Sequence, residues 1–237
     1  MSHYETDRTV TASFGGGDIP VWTTGPSDGR QPGLLLIPAI FGVDEGTKTL
    51  ARDLAFEGAH VWVVDPFWRT SPGVIARDKE GFGKGIARAR KIENDVATGD
   101  FADVVRAIAK EEGCNSQVAV LGLCFAGKFA VLLTSEGLAA AGASFHGPGI
   151  AAISALEAKI SVPLSMHFGD ADVAIPVTDV AVIRQAFAGH SNVEVVLHEG
   201  GVNHGFGDPG SDGFHPLVYQ TCLKSVRRLL DGLRSIN

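Results

Sequence analysis

Val118-Ala119-Val120-Leu121-Gly122-Leu123-Cys124-Phe125-Ala126-Gly127 is the stretch on which the reading of the whole chain turns. Val118–Leu121 is a continuous apolar run, the mark of a strand buried on both faces, and a helix is predicted from about Gly127 to Ser135. Cys124 therefore falls at a sharp strand-to-helix turn. Such a turn holds its central residue in a strained backbone conformation, and small residues two before and two after it keep neighbouring backbone from clashing. Gly122 and Ala126 meet that steric need. The turn also sets the sulfur at a helix N-terminus, where the dipole and free N–H groups favour a thiolate. A small cysteine buried as a hydrophobe would give the same short string, so the turn alone leaves both readings open.

Outward from this turn the chain alternates strands and helices. Residues 8–13 and 18–24 flank Gly15-Gly16-Gly17 and read as an N-terminal hairpin. Leu34–Ile37 and Val61–Val64 are buried strands, separated by a helix with Leu50, Ala51, Leu54 and Ala55 on one face. Phe101, Val104, Val105 and Ile108 mark the helix before the central strand. Ala143–Phe145, Leu164–Phe168 and Val193–Leu197 follow it as strands, with a helix near Thr178–Phe187. A last helix carries Val218, Cys222, Val226, Leu229, Leu230 and Leu233 on one stripe. This order predicts an α/β fold, with a mostly parallel central sheet and helices on both faces. No repeat or linker divides residues 1–237, which read as one domain.

Composition narrows the functional classes. Twenty basic against twenty-seven acidic residues give a formal charge of −7, which repels a phosphate backbone and argues against nucleic acid as a partner. The apolar stretch from Leu34 to Val43 is broken by Pro38 and Gly42 and is too short to span a bilayer. The polar N-terminus lacks the apolar centre of a signal peptide. Three cysteines at no paired spacing imply neither a disulfide framework nor a zinc knuckle, so a reducing, cytoplasmic setting is expected. No metal or cofactor is expected, and the oligomeric state is not legible.

Two loops supply partners for Cys124. After Leu164–Phe168 comes Gly169-Asp170-Ala171-Asp172-Val173-Ala174-Ile175-Pro176, and after Val193–Leu197 comes Glu199-Gly200-Gly201-Val202-Asn203-His204-Gly205-Phe206. A nucleophile, an acid and a histidine, each just beyond a strand and in that chain order, make an acyl-transfer triad on such a sheet. Asp172 is favoured over Asp170, which follows its strand too closely and suits a turn or capping role. Of the eight histidines, His204 sits between Asn203 and Gly205 with room to reach a cleft. His167 and His198 lie on or at the end of strands and read as packed or surface residues. His146 follows another strand and is expected to line the pocket. Cys114, in a helix-to-strand turn on the far side, and Cys222, on the last helix, read as structural.

With these residues in view, the chain resembles the dienelactone hydrolase (carboxymethylenebutenolidase) family of α/β-hydrolases over nearly its whole length. The resemblance rests on Ile40-Phe41-Gly42-Val43, Asp65-Pro66, the Gly122–Gly127 turn, the Gly169–Pro176 segment and His204-Gly205-Phe206. It implies the α/β-hydrolase fold and a Cys124–His204–Asp172 triad. It also implies an oxyanion hole made by the backbone N–H groups of Ile40 and Phe125. Three positions depart from the family. Ala39 stands where those enzymes carry a glutamate near the resting thiol, and Asp208 where an arginine follows the histidine. Phe82 aligns with a second carboxylate-binding arginine, with Arg77, Lys84 and Arg88 nearby. A site without both cations disfavours an anionic lactone, because a carboxylate buried unpaired is costly.

The expected activity is hydrolysis of small esters or lactones by a cysteine nucleophile, with a changed substrate preference. Ala39, Phe67, Trp68, Phe82 and His146 are expected around the pocket. The alternative is a weak or inactive protein of the same fold that binds rather than cleaves, in which case Cys124 would lack histidine-dependent reactivity. A thiol redox role lacks a resolving cysteine near Cys124 in sequence.

Overall fold

The structure, a computed structural model, describes residues 3–27 and 29–235. Its elements are β1 (His3–Thr11), β2 (Asp18–Pro26), β3 (Gln31–Ile37), α1 (Glu45–Phe56), β4 (His60–Val64), α2 (Lys79–Ala89), α3 (Asn94–Ala109) and β5 (Cys114–Leu123). After a 3-10 turn at Cys124–Ala126 come α4 (Gly127–Ser135), β6 (Ala141–Phe145), a 3-10 segment at Ala151–Lys159, β7 (Leu164–Gly169), α5 (Val177–Phe187), β8 (Val193–His198) and α6 (Pro216–Arg234).

The eight strands form one sheet in the order β1-β2-β4-β3-β5-β6-β7-β8. β3 to β8 run parallel, while the β1–β2 hairpin is antiparallel and joins β4 antiparallel. This is the mostly parallel α/β sheet that the strand pattern predicted, in the α/β-hydrolase arrangement that the family resemblance implied. Leu50, Leu54, Cys222, Val226 and Leu230 of α1 and α6 pack one face of the sheet, with Leu34, Leu36 and Leu121. Phe101 and Ile108 of α3 and Phe129 of α4 pack the other, with Leu35, Ile37 and Val120. Phe101 and Phe129 meet edge to face, their centroids 5.0 Å apart.

The chain leaves β3 toward β4 through α1, and leaves β5 toward β6 through α4, on opposite faces. Two adjacent parallel strands whose connections depart in opposite directions leave a crevice beyond their C-terminal ends. That crevice is where Ala39-Ile40 and Cys124 emerge.

Three readings of the sequence are corrected. β1 and β5 begin earlier than expected, at His3 and Cys114, so Cys114 opens a strand rather than lying in a turn before it. The 3-10 segment at Ala151–Lys159 was not anticipated, having no buried stripe to betray it. Nor was α2, whose sequence Lys79-Glu80-Gly81-Phe82-Gly83-Lys84-Gly85 carries three glycines that weaken helix propensity. Asp78 caps this helix by accepting from the Gly81 N–H at 2.7 Å. At Gly85 a Cβ would stand 3.0 Å from the Ile40 carbonyl oxygen, so helix and crevice loop approach through a position without a side chain.

Gly122 has the tightest constraint at the turn: a Cβ there would lie 2.2 Å from the Ala126 carbonyl oxygen. Gly122→Ala should therefore destabilise the fold by about 2 kcal/mol or more, as overpacking does. Chemical denaturation would show the loss, with the helix content by circular dichroism otherwise retained.

Candidate active site

Strand register brings the site together. Ile37 pairs with Gly122, Leu123 with Phe145, and Phe145 with His167, so residues 39, 124 and 146 continue from neighbouring strand ends. Cys124 has φ +53°, the left-handed region that a non-glycine residue enters at a cost of about 1–3 kcal/mol. The surrounding turn enforces it. No side chain caps the 3-10 turn that Cys124 opens, which leaves its N-terminal backbone donors facing the crevice.

Ile40 is held opposite. The Ala39 carbonyl accepts from the Gly42 N–H at 3.1 Å, so the trans peptide sends the Ile40 N–H the other way. Arg88, buried on α2, donates to the Ile40 carbonyl from Nε at 3.1 Å and Nη2 at 2.8 Å. Its guanidinium also lies 3.8 Å from the Phe67 ring centroid. Phe67 in turn packs against Phe125, with centroids 5.4 Å apart.

His204 donates from Nδ1 to Asp172 Oδ2 at 2.7 Å. The Asp172 side chain is fully buried, and its Oδ1 accepts from the Ala174 N–H at 2.9 Å. Burial alone would lower the His204 pKa, but the bond to Asp172, with Cys124 nearby, outweighs it and raises it to about 10.

Asp170 does more than the turn-capping suggested by its position. Its carboxylate accepts from the N–H groups of Gly200, Gly201 and Val202, the nearest at 2.8 Å. It thus ties the Asp172 loop to the loop that carries His204. The close pair of aspartates in Gly169–Pro176 was the available signal, but which backbone Asp170 reaches depends on the tertiary fold.

His146 lies behind the base, only 1% exposed, with φ +42°. Its ring meets His204 edge to face at 4.7 Å and Phe206 at 5.1 Å. Burial first, and the neighbouring His204 second, push its pKa well down and keep it neutral. Ala39 is buried and packs in the same cluster as Cys124. The remaining expected pocket residues are placed differently. Trp68 donates from Nε1 to Asp100 on α3 at 3.0 Å and stands against Gly17 of the hairpin turn. Phe82 is 55% exposed on α2.

The three nearby cations are all engaged. Arg77 donates to Asp44 at 2.5 Å and to Asp208 at 2.8 Å, and stacks on Phe41 at 4.6 Å. Burial raises the Asp208 pKa despite this partner, whereas Asp44, also opposed by burial, is lowered by its bonds to Arg77 and Thr47. Arg88 is spent on backbone carbonyls, and Lys84 pairs with Glu80 at 2.5 Å. Among the described residues, the group able to hold a metal ion is His167, His198 and Cys222, beneath the triad loops and separate from Cys124. A broad cleft of about 1180 Å³ lies at the other end of the sheet, lined by Tyr4, Arg30, His60 and Cys114. Cys124, His204 and Asp172 are not among its lining residues. No described helix is long and apolar enough to cross a membrane.

Comparison with known proteins agrees with this architecture. Residues 19–230 match the Dienelactone hydrolase family. A carboxymethylenebutenolidase of Pseudomonas sp. (strain P51) is 26% identical over 226 residues, covering 94% of this chain and 93% of its own. The crystal structure of a putative dienelactone hydrolase from Klebsiella pneumoniae subsp. pneumoniae MGH 78578 superposes with a TM-score of 0.81 at 20% identity, over 98% of each chain. A dienelactone hydrolase-like promiscuous phosphotriesterase, P91, from metagenomic libraries gives 0.73 at 20% identity, over 97% of this chain and 98% of its own. At such identities the structural likeness speaks for the fold.

The raised His204 pKa carries a stability signature. A folded-state value of about 10 against an ordinary 6.5 means the contribution is complete below about pH 6.5 and is lost as pH rises through 10. The stability gap between the protein and Asp172→Asn should therefore be widest near pH 6 and close by about pH 10. Urea denaturation of both at several pH values reads it, and a gap that widened with pH would contradict the assignment.

Proposed function

The chain belongs to the dienelactone hydrolase family, and from that premise we propose that it hydrolyses small neutral esters or lactones through Cys124, His204 and Asp172. The observation that carries this reading is the 2.7 Å bond from His204 to the buried Asp172, on loops that follow β7 and β8 at the end of the sheet where Cys124 sits in its left-handed turn.

An imidazole that keeps its proton to about pH 10 is an imidazolium at neutral pH, so it faces the sulfur as a cation that stabilises thiolate. The thiolate attacks the ester carbonyl carbon, and the Ile40 and Phe125 N–H groups receive the developing oxyanion. Such a donor is typically worth about 3 kcal/mol in the transition state. As the tetrahedral intermediate collapses, the C–O bond breaks and His204 gives its proton to the departing alkoxide. The sulfur now carries an acyl group and no charge. His204, having given its proton to the leaving alkoxide, is a free base at the step that needs one. It takes a proton from water, the resulting hydroxide attacks the thioester, and the thiolate leaves, restoring the ion pair.

Neutrality of the substrate follows from the engaged cations. Asp44 and Asp208 surround Arg77 with one more negative charge than it offsets, and the family resemblance places Asp208 where a carboxylate-binding arginine would be expected. A substrate carboxylate would meet repulsion and find no unpaired guanidinium.

Cys124→Ala should lower turnover of a p-nitrophenyl ester by on the order of 10³-fold or more. Alkylation of Cys124 by iodoacetamide near neutral pH should slow markedly in His204→Ala. A cysteine equally reactive in both proteins would instead mark the triad as vestigial. Asp208→Asn should raise kcat/KM for an anionic ester relative to its neutral analogue by roughly tenfold or more, since a charge-assisted hydrogen bond contributes about 1.5–3 kcal/mol. A ratio that stayed put would show that Arg77 has no reach into the pocket.

A further inference from the structure

One buried polar cluster takes no part in the triad. His167 on β7, His198 at the end of β8 and Cys222 on α6 bring Nδ1, Nε2 and Sγ within 4.8 Å of one another. His167 is 1% exposed and Cys222 is fully buried, in a layer where apolar side chains would pack without cost. The sequence suggested separate structural residues and no metal, and nothing in their spacing announces that they meet.

The hydrogen bonds around them are ordered as a ligand's supporting shell is ordered. Glu194 accepts from Ser165 at 3.0 Å, Ser225 at 2.9 Å and Arg228 at 2.9 Å. Hydrogen bonds from the two serines, together with Arg228, hold its carboxyl below the usual range against the opposing effect of burial. With the Ser165 hydrogen given to Glu194, its oxygen is left to accept from His167 Nε2–H at 3.0 Å. That leaves His167 Nδ1 bare and facing His198 Nε2 at 3.0 Å. A histidine whose far N–H is fixed through a hydroxyl to a carboxylate has the tautomer and basicity of a metal ligand.

We propose that His167, His198 and Cys222 form a zinc-type site that fastens the edge strand β8 and helix α6 to β7. The ligand set of two imidazoles and one thiolate suits zinc, with a fourth position left to water. Bond lengths of 2.0–2.1 Å to nitrogen and 2.3 Å to sulfur in a tetrahedron place the nitrogens about 3.3 Å apart and each about 3.6 Å from sulfur. Two of the three separations, 3.0 Å between the nitrogens and 4.0 Å from His198 Nε2 to Sγ, lie a few tenths of an ångström from these values, and the third lies within 4.8 Å, so metal entry requires the side chains to close in. The two rings are now nearly coplanar, 12° apart, with their nitrogens aimed at each other in one N–H···N bond. Metal entry leaves His198 neutral with its hydrogen on Nδ1, where this partly exposed ring donates it to water, and expels the Cys222 thiol proton. One proton leaves per metal bound.

The place suits a fastening role. β8 is an edge strand and only partly buried, and the loops that follow β7 and β8 carry Asp172 and His204. A link across β7, β8 and α6 would hold both loops from below without touching substrate.

The test uses Cys124→Ala protein, so that the catalytic thiol contributes nothing and the outcome is independent of the proposed activity. Cobalt(II) titration should produce thiolate-to-cobalt charge-transfer and intense tetrahedral d–d bands, displaced by zinc. Calorimetry in buffers of differing ionisation enthalpy should register one proton released per zinc. Adding Cys222→Ser or His198→Gln should abolish the bands while circular dichroism confirms folding, whereas Cys114→Ser should leave them unchanged. Zinc should raise the Tm of the parent and of Cys114→Ser, and not that of Cys222→Ser. Absence of the bands, or their survival in folded Cys222→Ser, would overturn the site and leave the cluster a metal-free hydrogen-bond network.

Discussion

The left-handed backbone at Cys124 is the constraint on which the rest of the site depends. It exists because the strand before it and the helix after it are each anchored by packing that the turn cannot relax. Val118–Leu121 is buried on both faces, and Phe129 sets α4 against Phe101 of α3. Between these anchors only a backbone free of side chains at Gly122 and small at Ala126 fits. The strain is thus borne by core packing remote from the chemistry, and its product is a sulfur raised above the sheet beside uncapped N–H groups.

The opposing side of the crevice is held by quite different means. Arg88 fixes the Ile40 carbonyl, Asp172 fixes the His204 ring, and Asp170 fixes the backbone of the His204 loop. All three are charged groups bonded to backbone or to an imidazole, and two of them come from one short segment after β7. His204 and Asp172 are consequently positioned as a unit. Movement of the Gly169–Pro176 segment would displace both, whereas Cys124 would stay where β5 and α4 put it.

Much of this was legible because it depends on local pattern. Buried strands are continuous apolar runs, and loops that follow strands in a parallel sheet must meet at one edge. Cys124, Asp172 and His204 therefore converge from sequence alone. What escaped depends on long side chains whose reach the sequence does not state. Arg88 and Arg77 were visible as charges near the site, but their spending on the Ile40 carbonyl and on Asp44 and Asp208 required the fold. α2 was missed because its three glycines weaken helix propensity, and what Gly81 and Gly85 gain in exchange, close approach to Ala76 and to Ile40, is visible only in the fold. Trp68 and Phe82 were assigned by loop membership, and one turned to Asp100 while the other turned outward.

The crossing of α6 back over the sheet has a consequence for how the protein is made. This last helix leaves the β8 edge and packs under β3, β5, β6 and β7, so the central strands lack their covering layer until the C-terminus arrives. Contacts of such long sequence separation form late and slowly. During synthesis Cys124 emerges well before the strand, loop and helix that place His204. Cys124 therefore spends that interval with no ordered His204 near it. Under the proposed mechanism reactivity would arrive only with completion of the fold, which would spare a growing chain with open surfaces from modifying its surroundings or itself.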